Sequence, residues 1–132
     1  MGLEEILSVT GKPGLFKLKT RAKSGFIVTS LLDDKTTIIG MNQNVSVLKD
    51  ISIYTETAEI SLKNVFQKIA EKESNGPSIN HKSSKEELQA YFKQVVPDYD
   101  TDRVYASDIK KVVQWYNILE KNQMIDAFQE EE

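Results

Sequence analysis

Residues 51–72 read ISIYTETAEISLKNVFQKIAEK, and the hydrophobic period changes inside them. Over Ile51-Ser52-Ile53-Tyr54-Thr55, apolar and polar residues alternate, which is the period of two of a half-buried strand. From Ser61 onward the apolar positions are Leu62, Val65, Phe66 and Ile69, spaced i, i+3, i+4, i+7 along one face of an α-helix. Ser61 is suited to cap that helix. Strand period before and helix period after predict an α+β chain, β-rich on the N-terminal side and helical on the C-terminal side.

Upstream, Gly11, Pro13 and Gly14 mark a turn. Phe16, Leu18 and Thr20 then alternate with Lys17, Lys19 and Arg21, which predicts a strand with its cations on one face. Ala22-Lys23-Ser24-Gly25 supplies hairpin residues, and Phe26 to Leu31 is a second, more buried strand. Asp33-Asp34-Lys35 is the next turn and Thr36 to Ile39 a third strand. With Val45–Leu48 and Ile51–Thr55, four or five short strands fall within about fifty residues, which predicts a small SH3-like β-barrel or meander.

Downstream, Gly76-Pro77 ends the first helix. Ser84 with Glu87 fits a capping box, as does Ser83 with Glu86, and Leu88, Tyr91, Phe92 and Val95 repeat the helical stripe until Pro97 stops it. Ser107 is read as the cap of a third helix, with Asp108 in its first turn and Ile109, Val112, Val113, Tyr116 and Leu119 on its buried face. A connecting helix and a C-terminal helical hairpin follow the β lobe. The expected division is a β lobe with trailing helix at 1–73, a linker at 74–83 and a helical lobe at 84–132.

Composition narrows the classes. The chain has 132 residues, 39% hydrophobic and 28% charged, which predicts a globular fold. No apolar run approaches the roughly 20 residues of a membrane span. The start, MGLEEILSVTG, has no basic segment of a secretory signal, and Ile6 stands where a myristoylation signal wants Ser or Thr. With no Cys there is neither a disulfide framework nor a thiolate metal site, and a cytoplasmic protein is the simplest reading. The net charge of −3 argues against a strongly basic nucleic-acid binder. Residues 1–73 carry ten Lys/Arg against nine Asp/Glu, and residues 74–132 seven against eleven, so the second part is the acidic one.

Several patterns resemble chemistry. Asp98, Asp100 and Asp102 occupy positions 1, 3 and 5 of a calcium loop, but Arg103 stands at position 6 and Ile109 at position 12, where such a loop needs Gly and a bidentate Glu. These acids are instead read as local caps and as ion-pair partners of Arg103, and no metal is expected. Lys17, Lys19, Arg21 and Lys23 could follow a phosphate backbone, but the strand parity puts Phe16 behind them rather than beside them. His81 lies in a polar stretch with no nucleophile or carboxylate to work with. Gly11-Lys12-Pro13-Gly14 lacks the spacing of a phosphate loop. Tyr91, Phe92, Tyr99, Tyr105, Trp115 and Tyr116 crowd into 26 positions. The helical stripes claim Tyr91, Phe92 and Tyr116; they do not claim Tyr99, Tyr105 or Trp115. Tyr and Trp are enriched at binding hot spots.

The segments ILSVTGKPGLFKL, KDISIYTE and DRVYASDIKKVVQWYNIL, in this order, resemble an uncharacterised family of small Bacteroidetes proteins made of domains of unknown function. The matching positions include Gly11, Lys12, Pro13, Gly14, Asp50 and Tyr54. They continue through Asp102 to Tyr105, Ser107 to Lys110, Trp115 and Tyr116. The resemblance implies an N-terminal domain to about Ala70, a helical C-terminal one, and a cytoplasmic bacterial protein. It brings no activity or ligand with it.

The functional expectation is a non-enzymatic binding or adaptor protein without cofactor. Its protein partner would meet Asp102, Arg103, Tyr105 and Trp115. The alternative is weak, salt-dependent nucleic-acid binding through Lys17, Lys19, Arg21 and Lys23. An enzyme ranks third, with Asp102 and Asp108 as the carboxylates it would need.

Overall fold

The computed structural model describes residues 2–12 and 14–129. Strands β1 (Ile6–Val9), β2 (Phe16–Ala22), β3 (Gly25–Ser30), β4 (Thr36–Gly40) and β5 (Val45–Val47) form one antiparallel sheet in the order β4-β3-β2-β1-β5. The β2–β3 turn brings the chain close to β4. A Cβ on Gly25 would lie 1.9 Å from the Ile39 carbonyl oxygen, so this position admits only glycine.

β4 and β5 are the two edges of this sheet, yet only residues 41–44 separate them. Four strand spacings of about 4.8 Å exceed the reach of so short a connection, roughly 17 Å, so the sheet must curl. Its concave face holds a small core of Leu7, Val9, Phe16, Val28 and Ile39. Among the described residues no ladder joins β4 to β5, and the sheet is open. A closed barrel is therefore not formed: β5 spans three residues, pairs with β1, and runs straight into a 3-10 turn at Leu48–Asp50.

The expected row of cations is also broken. Leu18 pairs with Val28, but Thr20 pairs with Ile27, so a bulge at Lys19 flips the parity of the strand. Arg21 is thereby placed opposite Phe26, on the face of Phe16 and Leu18, and its guanidinium lies 5.5 Å from the Phe26 ring centroid. Lys17 keeps the other face, opposite Thr29.

Ile51–Thr55 does alternate as read, but it does not close the N-terminal meander. β6 (Ser52–Tyr54) pairs with β7 (Glu59–Ser61) in a separate two-stranded sheet. That sheet is extended by the loop before α3: Thr55 bridges Tyr99, Glu56 N–H donates to the Asp98 carbonyl at 2.9 Å, and Asp100 N–H donates to the Tyr54 carbonyl at 3.0 Å. The hairpin is thus joined to the helical part of the chain.

Helix α1 (Leu62–Lys72) is capped by Ser61, whose hydroxyl accepts from Asn64 N–H, and it buries Leu62, Val65, Phe66 and Ile69. It stops before Gly76-Pro77, because Ser74 and Asn75 both take the left-handed conformation and Asn75 N–H bonds back to the Ala70 carbonyl. Helix α2 (Lys85–Val95) starts with the Ser84–Glu87 capping box, and of the two expected pairs Ser83–Glu86 is not the one used. Helix α3 (Ala106–Lys121) starts two residues earlier than Ser107 would allow as cap. Tyr105 is its N-cap, and the Tyr105 N–H donates to the Asp108 carboxylate at 3.0 Å. A last turn, α4 (Asp126–Gln129), packs Phe128 against Phe66 and Tyr116, with ring centroids 5.3 and 5.8 Å apart.

The main core does not divide at 74–83. One apolar cluster runs from Leu3 and Leu48 through α1 to α2, α3 and Phe128. The segment read as a linker is strapped to α3. Asn117 accepts from Ser78 N–H at 2.7 Å and from the Ser78 hydroxyl at 3.0 Å, and it donates to the Ile79 carbonyl at 3.1 Å. The Tyr116 hydroxyl donates to the Gly76 carbonyl at 2.8 Å. Burial, with Glu120 and Glu73 nearby, pushes the Tyr116 phenol up to about 12.

Candidate functional site: a cleft between β6 and α3

The chain turns from α2 into α3 through Pro97–Tyr105, and this turn is organised by Asp100. One Asp100 carboxylate oxygen accepts from the Asp102 N–H at 2.9 Å and from the Arg103 N–H at 3.3 Å. The other accepts from Arg103 Nε at 2.7 Å. The bond from the Arg103 side chain, then the one from the Asp102 amide, hold the Asp100 carboxyl below the usual carboxylate range. The same contact raises Arg103. Of the acidic triplet, the Asp100 carboxylate is thus spent on its own loop, while Asp98 contributes its backbone carbonyl to Glu56 N–H just past β6.

Arg103 is fixed a second time. Its guanidinium carbon sits 4.2 Å from the Tyr54 ring centroid, a close cation–π contact. The stacked pair stands at one side of a cleft of about 250 Å³. Ile51 to Tyr54 supply one wall; Val104, Asp108, Val112 and Trp115 supply the other, with Lys111 at the rim. Val104 and Val112 are buried and Trp115 half-buried, so the floor is apolar. Two aromatics stay open to solvent: Tyr54 is 43% exposed and Tyr105 63%. Neither ring is needed to close the core.

Of the four residues expected to meet a partner, Arg103 and Trp115 line this cleft. Tyr105 is exposed beside it at the start of α3, and Asp102 is exposed on the loop without lining it. Tyr54, Lys111 and the β6 wall were not anticipated. The signal for Tyr54 was present: in Ile51-Ser52-Ile53-Tyr54 it takes the outward parity, where a large ring has no core to fill. Of the basic residues, Lys19, Arg21 and Lys23 are exposed and Lys17 is half-buried; the bulge keeps them from sharing one face. Among the described residues no group of three acidic or His side chains is arranged to hold a metal, and no helix is long and apolar enough to cross a membrane.

Two family models match the chain. The domain of unknown function DUF5606 covers residues 3–48, and the domain of unknown function DUF6852 covers residues 51–119. Their junction falls at the Leu48–Asp50 turn, between the curled sheet and the β6–β7 hairpin. A solution NMR structure of a protein from Bacteroides vulgatus, solved by a structural-genomics consortium, is similar over 92% of this chain and 88% of its own. Its sequence identity is 42% and its TM-score 0.77. No curated protein matched. With both models matched in order and the Bacteroides relative matched nearly end to end, the chain belongs to a family of small Bacteroidetes proteins of unknown function, in which DUF5606 is followed by DUF6852.

Proposed function

We propose that this is a non-enzymatic binding or adaptor module of the bacterial cytoplasm, and that its protein partner docks at the cleft between β6 and α3. The observation that carries the reading is the Tyr54–Arg103–Tyr105 group. Tyr54 stacks on an arginine already held by Asp100, and a second exposed ring, Tyr105, follows two residues later in the chain. Aromatic and Arg side chains dominate interface energetics, and a pre-ordered arginine loses little freedom on binding. The finer fold reading belongs here too. The curl of the open sheet and the return of β5 to β1 support an SH3-like arrangement, and the packing of α2 on α3 supports a helical hairpin.

The test is capture from native cells with the tagged full-length protein, beside its Tyr105→Ala and Arg103→Ala variants. Partners recovered by the wild type are expected to be lost by both variants, by Tyr105→Ala at an unchanged melting temperature. Capture that is the same for all three proteins defeats the reading.

Nucleic-acid binding through β2 is the second reading, and one observation favours it. Arg21 and Phe26 stack side by side, which brings an aromatic next to the cations. Fluorescence anisotropy with single- and double-stranded oligonucleotides at low salt decides it. Affinity must fall steeply with salt, with a smaller slope after Lys19→Ala. No binding at tens of micromolar protein removes it.

A further inference from the structure

We infer that the cleft takes an extended segment of a partner chain, added as a strand along the free edge of β6, with an acidic side chain of that segment on Lys111. This rests on reading the cleft as the partner site, and it adds how the partner binds and what chemistry it carries.

The hairpin register fixes which backbone groups are free. Leu62 N–H donates to the Ile51 carbonyl at 2.9 Å, and Thr55 N–H to the Ala58 carbonyl at 3.0 Å. Ile51, Ile53 and Thr55 therefore turn their backbone groups toward β7. By alternation, Ser52 and Tyr54 turn theirs the other way. On that edge the chain already adds one short antiparallel piece of itself: residues 98–100 bond to Glu56 N–H and to the Tyr54 carbonyl. The piece then leaves the edge, because the Asp100 carbonyl is taken by Val104 N–H at 2.9 Å in the turn into α3. The next groups along the edge are the Tyr54 N–H and the Ser52 N–H and C=O. Both residues line the cleft, and no protein group pairs with these backbone groups among the described residues. Such a row is a template for a further strand.

Charge and floor specify the segment. Of the cations at the cleft, Arg103 is already neutralised by Asp100. Lys111 is exposed and has no ion pair among the described residues. The lining acid, Asp108, is bonded to the Tyr105 N–H in the first turn of α3, where the helix dipole offsets its charge. Lys111 is thus the charge left for a ligand, and it calls for a carboxylate. Alternate side chains of an added strand point to opposite sides, so apolar neighbours two residues away can rest on Val112 and Trp115. A helix would leave the Ser52 groups unpaired, and a basic segment would meet Lys111.

A phage-displayed random heptapeptide library is the probe, panned on the full-length protein and on two variants. Ser52→Pro removes one N–H of the free edge, a place where strands tolerate proline because the fold does not use that donor. Lys111→Glu reverses the rim charge. The wild type should enrich heptapeptides with one Asp or Glu flanked at alternate positions by apolar residues. Ser52→Pro should lower that enrichment at least about tenfold, and Lys111→Glu should shift the selection to Lys or Arg. If Ser52→Pro does not fold, amide exchange in the wild type replaces it: a selected peptide should slow exchange at Ser52 by at least about tenfold. Lack of enrichment, selection of sequences without acids, or selection indifferent to both variants overturns strand addition. If native partners still depend on Tyr105 in that case, the partner site stands and only the mode of binding falls.

Discussion

Asn117→Ala should loosen the strap that holds residues 74–83 on α3. The side chain makes three hydrogen bonds there, to Ser78 N–H, to the Ser78 hydroxyl and to the Ile79 carbonyl, all part-buried. A net contribution of about 0.5–1 kcal/mol per bond, with water partly replacing the lost partner, gives about 2 kcal/mol. For a chain of this size that is a fall of roughly 8 °C in melting temperature. If the loss is felt as local opening, cleavage within 74–83 under limited proteolysis should speed up by about 30-fold. Asn117→Asp keeps both acceptor bonds but sets a carboxylate oxygen against the Ile79 carbonyl, so it too should lower the melting temperature. Thermal melts and a proteolysis time course are sufficient. A melting point within about 2 °C of wild type, with unchanged cleavage, would refute the claim that this polar segment is bonded in place.

Three further outcomes are expected. Phe66→Ala empties a fully buried site between α3 and α4 and should cost about 3–5 kcal/mol in urea unfolding, in a single transition because one core joins these elements; two separate transitions would instead show independent lobes. The Asp100 carboxyl is depressed, so its stabilising bond to Arg103 is present above the ordinary carboxylate value of about 3.9 and lost as pH falls through the lower folded value; a carboxyl carbon NMR titration with an ordinary midpoint would contradict this. Millimolar calcium should leave the melting temperature unchanged, because Asp100 is bonded to Arg103 and position 12 is Ile109; a rise of several degrees that Asp98→Ala abolishes would count against it.

The helices were legible because each rule acted locally. The i, i+3, i+4 stripe and a capping serine define α1 and α2 without reference to the rest of the chain. The sheet was legible only strand by strand. Composition gives no sign of the extra residue at Lys19, yet that bulge moves Arg21 onto the face of Phe16. The cap of α3 was misplaced because Ser107 has the better side chain for the role. The structure instead uses the Asp108 carboxylate reaching back to the Tyr105 N–H, a cap made from within the helix. Residues 74–83 look like a linker because they are polar, but polarity does not distinguish solvation from side-chain bonds to Asn117 and Tyr116.

The site was half legible for a related reason. Arg103 and Trp115 could be named because no stripe claimed them, but their companions lie about fifty residues earlier, on β6. The alternation of Ile51–Thr55 marks a strand; it does not say which sheet the strand joins. That choice is made by the pairing with β7 and by two backbone bonds between residues 54–56 and 98–100, which are blind to side-chain identity. Once the hairpin is held by that loop, Tyr54 must stand over Arg103, and Asp100 must turn its carboxylate toward the arginine rather than toward a metal. The cleft follows from the same event. The loop covers one end of the β6 edge and then departs into α3, so the uncovered end at Ser52 and the first turns of α3 become its walls. Any change that releases residues 98–100 should therefore remove the stacked arginine and the cleft together. Pro97 supports that placement, since it stops α2 one residue before the chain must run extended along β6.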